Sequence, residues 1–332
     1  MRVLIIGGTG SFTSRVTELA VQRGHEVLVV ARGRRQLVND LPVRMLYAER
    51  GALRAHASAF AEFAPEVVVD SICFEAAHAE DLVALFPSAR RVILISTVDV
   101  YGEDIGGMAV TEERALNPVT PYAQGKAACE RIALDGLGRS ATVFRPGHIL
   151  GRTFLTTSLW GRSPYLVDRL RKGKTIAAID GGRNLMTPVY AVDAANWVVQ
   201  SFSRREADGQ IFNAVGAETV TQREYYECIA EILGVEAKIV SVPSPVFRRC
   251  FPSPSQFSWH RPYSSAKAVS LLGYRHVGTL RLMQEETVNY MLGHNLVRDC
   301  AEQPFDDALV ALAMRHEDEL SALLASKAAA AL

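Results

Sequence analysis

The chain has 332 residues, of which 48% are hydrophobic and 22% are charged, the balance of an ordinary globular protein. Lysine and arginine together number 36, as do aspartate and glutamate. This balanced charge does not indicate binding to nucleic acid or to an anionic membrane. No apolar run approaches the roughly 18 residues that a membrane span needs.

The five cysteines (Cys73, Cys129, Cys228, Cys250 and Cys300) are scattered and form no CxxC pair. Their spacing predicts no metal site and favours unpaired thiols in a reducing compartment. The first residues, MRVLIIGG, read directly as a strand and lack the features of a signal peptide. We therefore expect a cytoplasmic protein with a small-molecule substrate and no nucleic-acid or membrane partner.

Short apolar runs alternate with helical patterns through the first half of the chain. Predicted strands cover residues 2–7, 26–31, 43–48, 66–71, 91–96 and 141–146. Most are too continuous in Val, Ile and Leu to leave one face in water, which is typical of parallel strands covered on both sides. Predicted helices between them cover residues 13–23, 52–63 and 76–85. The alternation predicts an α/β fold, a Rossmann-type doubly wound parallel sheet, over residues 1–150.

The regular alternation of strands and helices ends after residue 150, where proline, glycine and aromatic residues become frequent. Residues 220–235 predict an amphipathic helix and residues 264–274 a shorter one. We predict a smaller C-terminal substrate lobe over residues 151–300, with a strand and helix exchanged back to the Rossmann domain near 185–205. The alanine-rich end predicts an appended helix over residues 301–332.

A glycine-rich loop, in LIIGGTGSFTSRVTELA, follows the first strand and opens a helix. Gly7 and Gly10 take the first two positions of a GxxGxxG pattern, and Thr13 takes the third. Such glycines permit a tight turn and close approach of a pyrophosphate to the helix N-terminus. A purely structural turn is the alternative, which the position after the first strand disfavours. The residues predicted to bind a dinucleotide here are Gly7, Thr9, Gly10, Ser11 and Phe12.

The second strand ends in a basic segment, VLVVARGRRQ. A site for NAD usually has an acid at this point, which holds the ribose hydroxyls. This chain has Ala31 followed by Arg32, Arg34 and Arg35, three guanidiniums that suit a 2′-phosphate. A solvated basic loop is the alternative. The pattern predicts NADP(H) in preference to NAD(H), with Glu49, after the third strand, contacting the adenine amino group.

Tyr122 and Lys126 stand one turn apart in the predicted helix TPYAQGKAACERIAL and therefore share a face. A free tyrosine has a pKa of about 10, which a nearby ammonium lowers. The pair predicts a tyrosine that gives and takes a proton. Thr97 ends the fifth strand, where α/β sheets bind ligands, so its hydroxyl is placed to contact a substrate oxygen. Its alternative role is to cap a turn, and the convergence of the three groups on one crevice favours catalysis.

Together these segments resemble the extended short-chain dehydrogenases/reductases of the NAD-dependent epimerase/dehydratase family. The resemblance spans residues 7–274, through GGTGSFT, STVDVYG, NPVTPYAQGK, RPGHILG, VYAVDAA and SSAKAVSLLGY. It implies that Tyr122 is the catalytic acid/base, that Lys126 lowers its pKa and binds the nicotinamide ribose, and that Thr97 is the family's Ser/Thr. It also implies a cofactor site that includes Ser71 and Pro146, and a homodimer formed through the tyrosine-bearing helix.

The residues assigned to the substrate are Cys73, Phe74, Asp99, His148 and Met186. Cys73 and Phe74 follow the fourth strand, with core packing as the alternative. His148 replaces an asparagine of the family and is either a further proton donor or a hydrogen-bonded structural group. Met186 stands where nucleotide-sugar epimerases carry an arginine for the substrate phosphate. Dehydratases follow their threonine with two acids, of which this chain has only the second, Asp99.

The sequence thus predicts an NAD(P)-dependent epimerase or oxidoreductase. It would transfer hydride at a secondary alcohol or ketone of a sugar-like substrate, either nucleotide-linked or free. The long second half favours epimerisation, since a large lobe suits a large polar substrate. One alternative is an NADPH-dependent ketoreductase that consumes its cofactor. Another is a non-catalytic nucleotide-sensing or RNA-binding relative on the same fold.

Overall fold

The computed structural model describes residues 1–37, 40–103, 105–251 and 257–329. The strands in this part of the chain are β1 (Arg2–Ile6), β2 (Glu26–Ala31), β3 (Arg44–Tyr47), β4 (Val67–Asp70), β5 (Arg91–Ile95), β6 (Ala141–Pro146), β7 (His148–Leu150), β8 (Thr156–Thr157), β9 (Gly161–Arg162), β10 (Ile176–Ile179), β11 (Leu185–Met186), β12 (Pro188–Tyr190), β13 (Ile211–Ala214), β14 (Val220–Thr221) and β15 (Ile239–Val242). The α-helices are α1 (Thr13–Gln22), α2 (Ala57–Phe63), α3 (Ala76–Leu85), α4 (Pro121–Leu137), α5 (Leu166–Arg171), α6 (Ala191–Ser201), α7 (Gln222–Leu233), α8 (Ser244–Cys250), α9 (Ala266–Leu272), α10 (Leu280–Gly293) and α11 (Pro304–Ala329).

Seven parallel strands form the central sheet, in the order β13-β6-β5-β4-β1-β2-β3. Starting at β1, the strands β2 and β3 follow one another toward one edge of the sheet. On the other side of β1, the strands β4, β5 and β6 follow one another toward the opposite edge. The order therefore reverses between β1 and β4, which is the point where such sheets bind ligands beyond the carboxyl ends of their strands. This topology confirms the predicted doubly wound fold.

The inner strands of this sheet are buried because helices cover both of its faces. Alternate side chains of β1 point to opposite faces. Val3 and Ile5 pack in a cluster with α1 and α6, whereas Leu4 and Ile6 pack in a second cluster with α3 and α4. The apolar runs predicted as two-sided strands are explained by this double cover.

One predicted helix differs in the structure. Residues Arg50–His56 form a 3-10 helix, and the α-helical ladder begins only at α2. Gly51 weakens an α-helix at this point, and Arg50 turns into the protein to pair with the buried Asp70 at 2.7 Å. Local sequence periodicity could not show that pairing.

Contacts divide the chain into two compact units. The first unit comprises Met1–Arg152, Thr187–Thr219 and Pro262–Thr279, and the second takes Thr153–Met186, Val220–Arg261 and the chain from Leu280 onward. The central sheet lies in the first unit, to which the chain returns twice. The domain bounds given by the sequence stay a prediction.

In the second unit, β10 pairs with β15, β11 pairs with β14, and α7 packs against α10. The appended helix α11 packs through its first half, where Val310 joins the core beside β10 and β15. Asp307 of α11 also pairs with Arg169 at 2.9 Å and with Lys174 at 2.6 Å. None of the helices in the described part of the chain is long and apolar enough to cross a lipid bilayer.

Candidate active site

The loop between β1 and α1 is shaped by its glycines. Gly7 has φ +83°, and a Cβ at this position would lie 2.6 Å from Ser71 Oγ, so another residue would strain the turn. A Cβ at Gly10 would lie 2.9 Å from Thr13 Oγ1. Thr13, in place of the third glycine, donates from its hydroxyl to Gly7 O at 2.6 Å. The threonine therefore ties the loop to the start of the helix.

The other predicted members of the dinucleotide site surround this loop. Thr9 and Ser11 are partly exposed, whereas the Phe12 side chain packs in the core before α1 and no side chain caps that helix. Ser71 donates to Ile6 O at 3.2 Å, and Pro146 is buried at the end of β6. The uncapped positive end of α1 favours an anion. A close-fitting glycine cradle and a helix N-terminus together fit the pyrophosphate of a dinucleotide.

Arg32, Arg34 and Arg35 follow the carboxyl end of β2 and are exposed. The Glu49 carboxylate lies 4.0 Å from Arg32 Nε and 3.7 Å from Arg34 Nη2. Arg32 and Arg35 line a cavity of about 650 Å³ together with Tyr47. The structure thus brings Arg32, Arg34 and Glu49 together, and Arg35 lines the cavity beside Arg32.

Tyr122 and Lys126 lie in the first two turns of α4. The helix begins here because Thr120 caps it, accepting from Ala123 N at 3.1 Å, and because Pro121 is preorganised for the first position. Tyr122 is 44% exposed, whereas Lys126 is 1% exposed and its ammonium donates to Ile95 O at 2.7 Å. The lysine is therefore anchored to the strand that leads to Thr97.

Lys126 has an unusual environment. Burial lowers the pKa of Lys126 below its ordinary value, and the buried carboxylate of Asp70 acts in the opposite direction. The Lys126 ammonium lies 4.5 Å from the centre of the Phe74 ring, and that ring lies 6.1 Å from the ring of Tyr122. Gly125 allows this approach, since a Cβ there would lie 2.2 Å from Phe74 O. Phe74, Tyr122 and Lys126 thus form one group.

Thr97 is nearly buried at the end of β5, and its Oγ1 accepts from Asp99 N at 3.2 Å. The hydroxyl thus caps the following 3-10 turn, the alternative role offered by the sequence. Because the oxygen accepts in this bond, its hydrogen can still be donated to a substrate oxygen. Asp99 is partly exposed on the same turn. The neighbouring Ser96 is buried, and its hydroxyl has no hydrogen-bond partner among the described residues.

A buried polar network, which sequence reasoning missed, ties α4 to the strands beside it. Arg145 of β6 donates to both carboxylate oxygens of Glu130, at 3.0 and 2.6 Å. It also donates to Tyr101 Oη at 2.8 Å, and Tyr101 donates to Asn213 Oδ1 at 2.7 Å. All four residues are at most 2% exposed. Burial raises the pKa of Tyr101, so its hydroxyl stays protonated and can donate the hydrogen bond to Asn213.

This network positions the candidate catalytic groups. Glu130 lies one turn beyond Lys126 on α4, and Tyr101 lies on the turn that follows Thr97. The sequence signal was the continued spacing of Tyr122, Lys126 and Glu130 at i, i+4 and i+8, which puts a carboxylate on the same face of the helix. Its partner Arg145 is distant in sequence, so spacing alone did not identify it.

Of the predicted substrate residues, Phe74 and His148 are at least partly exposed, whereas Cys73 and Met186 are buried. Phe74 is 41% exposed beside Tyr122, and His148 is partly buried on β7, paired with Pro188 of β12. Cys73 is fully buried in the core below the sheet, as its alternative role of core packing requires. Met186 is 2% exposed, on β11 of the second unit. The substrate roles of all of these residues stay predictions.

One cluster in the second unit has atoms of the kind that bind metals. Asp168, Asp299 and Cys300 each offer one ligand atom, all within 4.8 Å of one another. The Lys172 ammonium lies 2.9 Å from the Asp168 carboxylate and 2.7 Å from that of Asp299. A protein cation therefore already balances these two acids.

The sequence profile of the NAD dependent epimerase/dehydratase family matches residues 3–214, well over half of the chain. The chain belongs to this family. It is an oxidoreductase-type enzyme, and because the family is NAD-dependent, its cofactor is of the nicotinamide dinucleotide class. The match includes the glycine loop, Thr97, and the Tyr122–Lys126 pair.

Two curated relatives of this epimerase/dehydratase-family chain differ in function. The 2′-dehydrokanamycin reductase of Streptomyces kanamyceticus is 26% identical over 253 residues, covering 74% of this chain and 70% of the relative. The chloroplast stem-loop binding protein of 41 kDa b of Arabidopsis thaliana is 25% identical over 332 residues, covering 93% and 84%. The name of one relative thus describes a reductase and that of the other a stem-loop binding protein.

Solved structures show the same fold. The UDP-glucose 4-epimerase of Thermotoga maritima, solved with UDP-glucose, superposes with a TM-score of 0.72 at 18% identity over 89% of this chain and all of that chain. The dTDP-glucose 4,6-dehydratase of Bacillus anthracis, solved with NAD, gives a TM-score of 0.71 at 19% identity over 89% and 97%. At these identities the likeness concerns the fold.

Proposed function

We propose that this family member is a reductase of a sugar-like ketone, with Tyr122 as the proton donor. The observation that carries the proposal is the buried ammonium of Lys126, which is anchored to Ile95 O one helical turn from the exposed Tyr122. When bound, a nicotinamide dinucleotide supplies the hydride. The residues of the protein bind the ketone and transfer a proton to its oxygen.

The roles of the three residues follow from their chemistry. Thr97 donates its hydroxyl hydrogen to the substrate oxygen and polarises the carbonyl. Tyr122 gives its phenolic proton to that oxygen as the alkoxide forms, so the oxygen ends as a hydroxyl and the tyrosine as a phenolate. The positive charge of Lys126 stabilises the phenolate, which recovers a proton from water. The buried carboxylate of Asp70 favours this positive charge, against the effect of burial on the pKa of Lys126.

Two observations favour net reduction over epimerisation. The arginines beyond β2 suit the phosphate of NADP, whose reduced form cells keep available for reductions, and one curated relative is a reductase. Epimerisation of a sugar-like substrate is the second candidate. It is supported by the size of the second unit, which suits a large polar substrate.

Turnover with NADPH at a tenth of the substrate concentration separates the two chemistries. We expect product to stop at one molecule per NADPH, with loss of its absorbance, because a reductase consumes the cofactor. Keto-sugars, beginning with a keto-aminoglycoside of the kind named for the Streptomyces relative, are the first substrates to test. Many product molecules per cofactor, with one stereocentre inverted, would instead establish the epimerase.

We further propose that NADP(H) binds more tightly than NAD(H), through Arg32, Arg34 and Arg35. We expect Arg32→Ala to weaken NADP binding on the order of ten-fold, since charge-assisted hydrogen bonds are the strong ones, and to change NAD binding little. Calorimetric titration of both cofactors measures this. Arg44→Ala is the matched control, because Arg44 is also exposed but pairs with Glu26 at the start of β2. Equal affinities for the two cofactors in wild type, together with unchanged NADP affinity in Arg32→Ala, would show that the arginines only face solvent.

RNA binding is a third candidate, supported by the Arabidopsis relative. The balanced charge of the chain counts against it. Retention on an RNA column that falls steeply with salt, together with no turnover of any keto-sugar, would favour this candidate over the reductase.

A further inference from the structure

We propose that Glu49 competes with the 2′-phosphate of NADP for Arg32 and Arg34, and that it thereby reduces the preference for NADP that these arginines give. The inference rests on the proposed function, because it assumes that the cavity beside these arginines holds the adenosine end of the cofactor. It differs from the sequence-based expectation, in which Glu49 contacts the adenine.

The first support is the pairing itself. The Glu49 carboxylate lies 4.0 Å from Arg32 Nε and 3.7 Å from Arg34 Nη2, so one acid serves two guanidiniums. The side chains are 52%, 71% and 62% exposed for Arg32, Arg34 and Glu49. An arriving ligand can reach all three groups, and the ion pairs are open enough to exchange partners.

The second support is that the backbone on both sides of Glu49 is held in place. Ala48 N donates to Ala31 O at 3.0 Å, which joins the end of β3 to the end of β2. The next residue, Arg50, is buried and donates from Nε to Asp70 Oδ2 at 2.9 Å. Glu49 therefore stays beside the arginines, and only its side chain can move away.

The arginine turn is held as well. Gly33, between Arg32 and Arg34, has φ +75°, and a Cβ there would lie 3.2 Å from the Tyr47 ring. The turn thus packs on the tyrosine and presents its two guanidiniums toward the Glu49 side of the loop. Arg35 lines the cavity together with Arg32 and Tyr47.

The charges then decide the direction of the effect. A phosphate monoester carries about −1.5 to −2 charges near pH 7. To reach Arg32 and Arg34, it must either displace the carboxylate or lie beside it, and both cost binding free energy. NAD has two ribose hydroxyls at that point, which a carboxylate can accept hydrogen bonds from. Glu49 therefore weakens NADP binding and leaves NAD binding equal or stronger.

The test is calorimetric titration of NADP and NAD, without substrate, against wild type and Glu49→Gln. At low salt we expect the variant to bind NADP roughly three- to ten-fold more tightly, the size expected for exposed charges a few ångströms apart. We expect NAD affinity to stay unchanged or fall. The gain for NADP should shrink as salt rises, because the charges are exposed.

The matched control is Glu26→Gln. Glu26 is exposed and pairs with Arg44 at 3.0 Å, so this variant loses the same charge and one comparable ion pair. It stands at the first residue of β2, whereas Arg32 follows the last, about 20 Å away along an extended strand. We expect Glu26→Gln to bind both cofactors like wild type. In a background with Arg32 and Arg34 both changed to alanine, the gain from Glu49→Gln should shrink, because the two arginines that pair with Glu49 are gone.

The outcomes separate this inference from the proposed function. If wild type binds both cofactors and Glu49→Gln behaves like Glu26→Gln, the competition is refuted and the proposed function stands. The competition is also refuted if Glu49→Gln increases NADP affinity by the same factor when Arg32 and Arg34 are both alanine. If wild type binds neither cofactor, the proposed function fails and this inference fails with it.

Discussion

Replacing Tyr122 by phenylalanine lowers turnover by at least ~100-fold and leaves the fold intact, because proton transfer by one positioned side chain is typically worth that much. The ring remains, so its contact with Phe74, at 6.1 Å between ring centres, is kept. Only the hydroxyl that delivers the proton is lost. The measurement is kcat with NADPH and the substrate that the stoichiometry experiment identifies.

Two further measurements make this result specific. Tyr290→Phe removes a hydroxyl from another partly exposed tyrosine, on α10 of the second unit, and should leave kcat within a factor of about two. NADPH affinity and thermal unfolding of Tyr122→Phe should match those of wild type. Retention of most wild-type turnover by Tyr122→Phe would falsify its assignment as the proton donor.

Replacing Glu130 by alanine lowers the free energy of unfolding by about 3–5 kcal/mol, the usual result of removing one partner of a buried ion pair. Arg145 is 2% exposed and gives two of its hydrogen bonds to this carboxylate, so its charge would be left buried without a counter-charge. Urea unfolding followed by circular dichroism measures the loss.

A surface pair provides the comparison. Glu26→Ala breaks an exposed ion pair with Arg44 and should cost at most ~1 kcal/mol. Changing Glu130 and Arg145 together to methionine should cost less than the sum of the two single changes, because no uncompensated charge remains. A Glu130→Ala variant as stable as Glu26→Ala would mean that water or another group takes over the role of the carboxylate.

Much of the fold could be read from the sequence because its signals are local. The buried runs of β1, β2, β4 and β5 lie within their predicted bounds, since strands covered on both faces must be apolar throughout. The seventh strand, β13, was not predicted. It has only four residues, and one of them is Asn213, whose side chain is buried and hydrogen-bonded to Tyr101. A polar residue with a distant partner interrupts the pattern that local reasoning depends on.

The sequence by itself determined the glycine turn at Gly7, the order of strand and helix around it, and the spacing of Tyr122 and Lys126 on one helix face. Those features depend on backbone conformation and on residues at most one turn apart. Only the tertiary structure decided that Glu49 pairs with the arginines after β2 and that Arg145 holds Glu130. These are charge pairs between residues 15 or more positions apart, and no local period encodes them. Their partners are set by which strand ends and helix faces the folded sheet brings together.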